Sequence, residues 1–163
     1  MDPRLLHNEK KPFDDVELPF DAETPLSVTS LKNVVSNFKS PAGDIFADPC
    51  IAKVTAKVYA CIAKAWKLDD SDAARMLDVN LQTWMHIKNG KWDELFDQKR
   101  LRLISAIIAL YETSHSCFND ELADSWIKLP NTGWAFSGRA PIDVMIEGGL
   151  PAILKTRRYL ISE

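Results

Sequence analysis

Apolar residues of this chain recur at helical spacing, and no stretch of useful length alternates polar and apolar residues as a half-buried strand does. The clearest stripe covers about residues 93–118, where Leu103, Ile107 and Leu110 widen it. So broad a stripe is typical of a helix that packs on two sides. Further helices are predicted over about 49–68, 71–77, 81–88, 120–126, 141–147 and 153–160. The sequence therefore predicts an all-α fold.

The first 49 residues differ from the rest in composition. They hold six of the nine prolines and carry nine acidic against five basic side chains, a net charge of −4. Such a composition favours an extended or disordered segment. Within it, Leu31, Val34, Val35 and Phe38 are spaced as one face of a short helix. Residues 1–49 are accordingly predicted to be a Pro-rich acidic arm that includes one candidate short helix.

The remaining 114 of the 163 residues suit one domain, or two small ones that share a core. The net charge is +2 over residues 51–118 and −1 over 119–163, so a nucleic-acid surface is expected only in the middle third. Cys50, Cys61 and Cys117 are odd in number and lie in apolar helical patterns, which predicts buried, reduced thiols. Without a long apolar run or an apolar signal region, a cytoplasmic protein is expected.

Residues 72–90, DAARMLDVNLQTWMHIKNG, resemble the helix-turn-helix of phage-repressor-like (Xre-type) regulators. Ala74 occupies the small position at which the two helices cross, Asn80 is a good N-cap for the second helix, and Gly90 ends it. A generic αα-hairpin is the alternative interpretation. Two features depart from the pattern: Asp78 stands at the turn position that usually carries Gly, and three carboxylates stand where relatives often place a phosphate-binding Gln, namely Asp69, Asp70 and Asp72.

The resemblance implies that the second helix of this pair faces operator DNA. The candidate DNA-binding residues are Gln82, Thr83, His86, Lys88 and Lys91. Gln82 suits an adenine edge, and His86 or Lys88 suits a guanine or a phosphate. Because phosphate contacts dominate affinity, so few cations predict weak binding per protomer and a need for dimerisation. His86 can equally be a plain surface histidine.

The stretch WIKLPNTGWAFSGRAPIDVMIEGG, residues 126–149, holds four of the six glycines. Gly133 and Gly138 are predicted to supply left-handed or close-approach positions. Between them, Trp134 and Phe136 are predicted to alternate along an extended bridge, with one side chain directed inward. Pro141 is placed to begin a further helix.

From Phe118 onward the chain resembles the C-terminal toxin-binding domain of the Xre/MbcA/ParS antitoxin family. The positions that carry this resemblance are Trp126, Pro130, Asn131, Phe136, Gly138, Pro141, Gly148 and Gly149, followed by a closing helix. Together with the helix-turn-helix, the match covers about residues 50–163. It implies an Xre-like helix-turn-helix domain over 50–118 and a small helical toxin-binding domain over 119–163, and it leaves the arm 1–49 unexplained.

The resemblance implies a type II antitoxin that blocks the active-site cleft of a RES-domain toxin, an NAD-degrading enzyme. Members of the family commonly use their C-terminal segment, form dimers and often repress their own operon. The candidate toxin-binding residues are therefore Arg157, Arg158, Tyr159, Leu160, Ile161, Ser162 and Glu163. Guanidinium, phenol and carboxylate groups suit a cleft that accepts a dinucleotide. The alternative is an ordinary basic helix end, with Leu160 and Ile161 packed in the core.

No catalytic motif accompanies these features, so we expect a binding protein with no cofactor. His115 and Cys117 stand two apart, with Asp120 nearby. Since residues i and i+2 point apart on a helix, no metal site is predicted there. Two other functions stay open: a solitary DNA-binding regulator that uses its C-terminal domain for oligomerisation, and a structural adaptor that uses the arm 1–49.

Overall fold

The structure, a computed structural model, describes residues 49–162, and their side chains from residue 52 onward. The predictions for residues 1–48 of the arm and for Glu163 lie outside the described residues. Within them every regular element is a helix, which confirms the predicted all-α class: α1 (Pro49–Ala65), α2 (Asp70–Met76), α3 (Leu81–Lys88), α4 (Gln98–Cys117), α5 (Asp120–Trp126) and α6 (Pro141–Ser162). None of these six helices is long and apolar enough to cross a membrane.

Four helices begin behind a side chain that caps their first turn. Its oxygen accepts a backbone N–H three residues further on, which satisfies one of the free donors of that turn. The capping residues are Asp69 for α2, Asn80 for α3, Asp97 for α4 and Asn119 for α5. The predicted cap at Asn80 is confirmed. The prediction that the long helix begins near Asp93 is wrong, because Asp97 caps it at Gln98.

Helix α6 is interrupted at Gly149, whose φ of 60° and ψ of −145° are not helical. Because this region of backbone conformation is open almost only to glycine, the predicted break between two helices is confirmed. The second half resumes directly after the break, earlier than the predicted start at Ile153. Pro151 therefore lies in its first turn, where a missing backbone N–H costs no helical hydrogen bond.

One apolar core connects all six helices of the described residues. Helix α5 contributes to it only at its end, through Trp126. α4 lies between α1 and the C-terminal helix α6, and it buries residues on both sides, as its broad stripe predicts. Ile104 and Ile107 of α4 belong to the same buried cluster as Tyr59 of α1 and Ile153 of α6. The core is thus continuous across residue 118, where the sequence predicts a boundary between two domains.

The two cysteines whose side chains are described differ in exposure. Cys61 of α1 is half-buried, and its burial raises the pKa of the thiol. Cys117 stands exposed at the end of α4, with its Sγ 3.6 Å from the carbonyl oxygen of Leu160. The prediction of a buried thiol is therefore wrong for Cys117, because the last turn of α4 carries it on the side that faces away from the core.

Candidate functional site

Residues 131–139, between α5 and α6, form a closed segment that we call the Asn131 loop. The backbone N–H of Asn131 donates to the carbonyl of Arg139 (3.1 Å), and its own carbonyl accepts from the N–H of Gly138 (2.8 Å). Its side-chain Oδ1 accepts from the N–H of Gly133 at 2.7 Å. Ser137 and Gly138 follow each other with φ of 53° and 83°, which confirms the left-handed position predicted for the glycine. Since left-handed backbone is costly for serine, these hydrogen bonds must hold the loop in place.

Gly133 lets this loop lie directly on the ring of Tyr159 of α6. A Cβ at Gly133 would stand 2.5 Å from Cε2 of that ring, which confirms the predicted close approach. Behind it, Tyr159 packs edge-on against Phe136, with ring centroids 5.0 Å apart, and nearly parallel to Trp126 at 6.4 Å. Phe136 is fully buried. Aromatic packing of this kind fixes the loop to α6.

Trp134 stands on the outside of the aromatic cluster. Its side chain is 56% exposed, although the ring centroid lies 5.9 Å from that of Tyr159. The Nζ of Lys155 lies 5.5 Å from the centroid of the indole, within the range of a cation–π interaction. The prediction that one of Trp134 and Phe136 turns inward is confirmed. The predicted extended bridge is wrong, because the N–H of Phe136 donates to the carbonyl of Gly133 and closes a turn.

The second half of α6 presents a mixed apolar and basic surface beside this tryptophan. Leu154 and Ile161 are 47% and 64% exposed, and Arg158 lies between them on the same side of the helix. Lys155 is their neighbour. Below, the term α6 face denotes Trp134, Leu154, Lys155, Arg158 and Ile161. The opposite side of the helix packs into the core through Ile153, Thr156 and Leu160.

The basic groups of the α6 face have no acidic partner among residues 49–162. No carboxylate of that part of the chain lies within ion-pair distance of Lys155 or Arg158. Arg139, in contrast, pairs with Glu147 at 2.8 Å, and its guanidinium lowers the pKa of that carboxyl. The α6 face therefore combines exposed apolar side chains with unneutralised positive charge.

The seven candidate toxin-binding residues separate into two groups. Three of them hold α6 in place: Arg157 donates through Nε to Oγ1 of Thr113 at 3.1 Å, Tyr159 joins the aromatic cluster, and Leu160 is buried. Arg158, Ile161 and Ser162 are exposed, and Glu163 lies outside the described residues. The alternative of a packed helix end thus holds for Leu160 and fails for Ile161.

The other motif positions differ in burial. Trp126 and Pro141 are buried, whereas Pro130 and Gly148 are exposed. The N–H of Ile142 donates to the carbonyl of Ile127 at 2.9 Å, so the start of α6 is tied to the end of α5. The motif therefore builds the junction between the two helices and their loop.

Residues 77–80 join α2 and α3 into a compact helical pair. Asp78 has a φ of 55°, so it occupies the left-handed position of the turn, as predicted. Trp84 and Ile87 face the core, and Gly90, with a φ of 67°, follows the end of α3. The candidate DNA-binding side chains of Gln82, His86, Lys88 and Lys91 are exposed, and Thr83 is half-buried.

Carboxylates neutralise several cations around this helical pair. Lys88 donates to Oδ1 of Asp70 at 2.7 Å, and the indole N–H of Trp84 donates to the same oxygen at 2.8 Å. These two hydrogen bonds lower the pKa of Asp70. Lys99 pairs with Asp78 in the turn and lowers the pKa of that carboxyl too. Of the three acidic residues that stand where relatives often place a phosphate-binding Gln, Asp70 is therefore paired with Lys88, a candidate DNA-binding residue.

The side chain of His115 is fully buried at the junction of α4 and α5. Its Nδ1 lies 2.9 Å from the carbonyl oxygen of Tyr111, and its Nε2 lies 3.2 Å from Oδ1 of Asp124. Cys117 lies on the exposed side of the same helix. Among the described residues, no three His, Cys, Asp or Glu side chains are grouped so that they could hold a metal ion.

The sequence reasoning missed Trp134 and Leu154 as candidates for binding. Leu154 could have been found, because the inward spacing of Ile153, Thr156 and Leu160 leaves it outward. The contact between Trp134 and Lys155 gives no local signal, since it depends on how the Asn131 loop folds back on α6.

Comparison of the chain with protein-family models, with curated proteins and with solved structures gives no match.

Proposed function

We propose that this chain is an antitoxin that binds and inhibits a RES-domain toxin, an NAD-degrading enzyme, through its α6 face. The observation that carries the proposal is the exposure of Trp134 and Ile161 beside Lys155 and Arg158, two cations that have no acidic partner among residues 49–162. Of the seven large apolar side chains exposed in residues 49–162, five lie beyond residue 118: Leu122, Leu129, Trp134, Leu154 and Ile161. Exposed apolar groups concentrated on one part of a protein mark an interaction surface.

The Asn131 loop supports this proposal because it presents Trp134 in a fixed position. Tryptophan, tyrosine and arginine are the side chains that most often carry the binding energy of protein interfaces. A side chain that is ordered before binding loses little conformational entropy when the partner arrives. Two consecutive left-handed residues, Ser137 and Gly138, maintain a loop whose largest side chain is left in solvent. A left-handed serine and an exposed tryptophan both lower the stability of the folded chain, and a role in binding a partner would account for keeping them.

The contact set that we propose is narrower than the seven C-terminal residues. Leu160 and Tyr159 pack within the protein and act as support for the helix. Arg158, Ile161 and Ser162 are accessible to a partner. The role of the C-terminal segment in filling the active-site cleft of the toxin remains part of the proposal.

The experiment is co-expression with a toxin encoded beside the gene for this chain. The double variant Arg158→Glu, Ile161→Asp should fail to restore growth and cellular NAD, and it should not co-purify with the toxin. Leu95→Asp is the matched control, because Leu95 is exposed to a similar degree on the segment before α4. Circular dichroism should show that both variants fold. Full neutralisation by the double variant would refute the contact, and absence of neutralisation by the wild-type chain would refute the function.

The outward side of α3 favours a second function, DNA binding by a dimer that represses its own operon. Gln82 and His86 project into solvent from a capped helix, and Lys91 follows it. The pairing of Lys88 with Asp70 reduces the charge available for phosphate contacts. Binding to the DNA upstream of the gene should therefore be weak, and its salt dependence should be shallow because each protomer neutralises few phosphates.

Fluorescence anisotropy at two salt concentrations tests the second function. Gln82→Ala should reduce the preference for the operator over random DNA, whereas Lys91→Ala should weaken binding to both and lower the salt slope by about 1. Lys64→Ala, at the end of α1, is the control. Equal affinity for operator and random DNA would exclude a regulator.

A further inference from the structure

The α6 face has a composition that selects the chemistry of what binds to it. Its apolar part consists of Trp134, Leu154 and Ile161, and its charged part of Lys155 and Arg158. No acidic residue occurs between positions 148 and 162. An apolar surface that carries only positive charge is complementary to a segment in which acidic side chains flank an apolar one.

We propose that the α6 face binds an acidic protein segment with a central apolar side chain, which packs on Trp134 while its flanking carboxylates pair with Lys155 and Arg158. The inference deepens the proposed function. It rests on that function only in taking the α6 face to be a surface that binds a protein. It does not depend on the identity of that protein.

The position of Lys155 explains why charge and apolar contact act together. Its Nζ lies 5.5 Å from the centroid of the Trp134 ring. A carboxylate that pairs with this ammonium group is thereby brought to the edge of the indole, and the residue next to it reaches the exposed ring. The cation–π contact thus holds the ammonium group where a partner's carboxylate can meet it.

A second copy of the chain does not suit the α6 face. Two such faces packed on each other would bring Lys155 and Arg158 of one copy close to the same cations of the other, and like charges in contact are unfavourable. The apolar groups alone would favour such a dimer, but the charges oppose it. An acidic partner satisfies both parts of the surface.

Selection of random 12-residue peptides displayed on phage, with the full chain immobilised, tests the chemistry without a known partner. The enriched peptides should carry Asp or Glu on both sides of an aromatic or aliphatic residue. A synthetic peptide of the enriched sequence should bind the wild-type chain and lose about tenfold or more in affinity with Lys155→Glu or Arg158→Glu. Trp134→Ala should weaken binding by a similar factor.

Two controls keep the result interpretable. Leu95→Asp should bind the peptide as the wild type does, and a peptide with Lys in place of its acidic residues should not bind. Enrichment of neutral or basic peptides, or binding that is unchanged in Lys155→Glu and Arg158→Glu, would overturn the proposal. So would a wild-type dimer that Ile161→Asp converts to a monomer, because a second copy would then occupy the face. If the chain fails to neutralise the toxin, the proposed function is refuted. The peptide-binding measurement still tests the chemistry of the α6 face in that case.

Discussion

Gly133 is the residue on which the contact between the Asn131 loop and α6 depends. Replacing it with Ala would place a Cβ 2.5 Å from the ring of Tyr159, and that ring cannot move without losing its packing on Phe136 and Trp126. We expect a loss of about 1–3 kcal/mol in the free energy of unfolding, the usual cost of an overpacked core. Urea unfolding measures the loss, and near-UV circular dichroism should show a changed aromatic signal.

Gly90→Ala separates this steric effect from backbone strain. Gly90 has a φ of 67° and no atom within 4 Å of an added Cβ, so Ala there meets only the left-handed backbone penalty of about 1–2 kcal/mol. Its near-UV spectrum should match that of the wild type. An unchanged spectrum for Gly133→Ala would show that Tyr159 is not constrained as described.

Leu160 and Ile161 are neighbours with opposite environments, and they form a matched pair. Leu160 is 5% exposed and Ile161 64% exposed. Leu160→Ala should cost about 2–5 kcal/mol of stability, as a cavity in a core does. Ile161→Ala should change stability by no more than about 0.5 kcal/mol and should instead weaken toxin neutralisation. Equal effects of the two substitutions on unfolding would contradict the orientation of α6.

Sequence reasoning succeeds for residues whose role is local. The cap of Asn80, the left-handed turn at Asp78 and the close approach at Gly133 follow from the conformational preferences of those residue types. It fails for Trp134, whose exposure depends on a turn that folds back on a helix distant in sequence. His115 is a similar case, since its partner Asp124 lies on the next helix.

At the scale of elements, the pair α2–α3 is held by the carboxylate of Asp70. The hydrogen bonds from Lys88 and Trp84 lower its pKa from the ordinary value of 3.8. Because the folded-state pKa lies below the unfolded one, the stabilisation is fully present above about pH 4, near the unfolded pKa of Asp. It is lost as the pH falls through the folded-state pKa.

Asp70→Asn should therefore be less stable than the wild type at pH 7 and approach it in stability as the pH falls below about 4. Chemical unfolding at a series of pH values measures this convergence. Asp93→Asn is the control, because Asp93 is an exposed carboxylate on the segment before α4. A difference between Asp70→Asn and the wild type that stays constant with pH would mean that the charge of Asp70 contributes nothing.

The sequence predicted where the helices lie, but it did not predict all of their ends correctly. Apolar spacing located all six helices, because each packs one side on the core. The start of α4 was misplaced because Asp93 and Asp97 are both good capping residues, and only the structure shows that the side chain of Asp97 accepts the backbone N–H of Arg100. The break in α6 was predictable because two consecutive glycines precede a proline.

At the scale of the whole molecule, helix α2 of the helical pair contacts α6 directly, and α4 joins α1 to the part that carries the α6 face. Helix α4 contacts α1 on one side and α6 on the other, and their buried residues form one cluster. A destabilising substitution in α6 should therefore also lower the stability of α1, although the two helices lie far apart in sequence. The sequence could not predict this continuity, because apolar spacing shows which side of a helix is buried and not which helix covers it.

We accordingly expect residues 49–162 to unfold in a single cooperative transition. Far-UV circular dichroism and tryptophan fluorescence should give the same urea midpoint in the full-length chain, as they do for a two-state domain. Native-state hydrogen exchange gives the sharper test: the most protected amides of α1 and α6 should report the same free energy, and Leu160→Ala should lower both equally, since α4 transmits the loss. If Leu160→Ala lowers protection in α6 while the amides around Tyr59 keep theirs, residues 50–118 and 119–163 fold as two domains, and the α6 face belongs to a unit that can open without the helical pair.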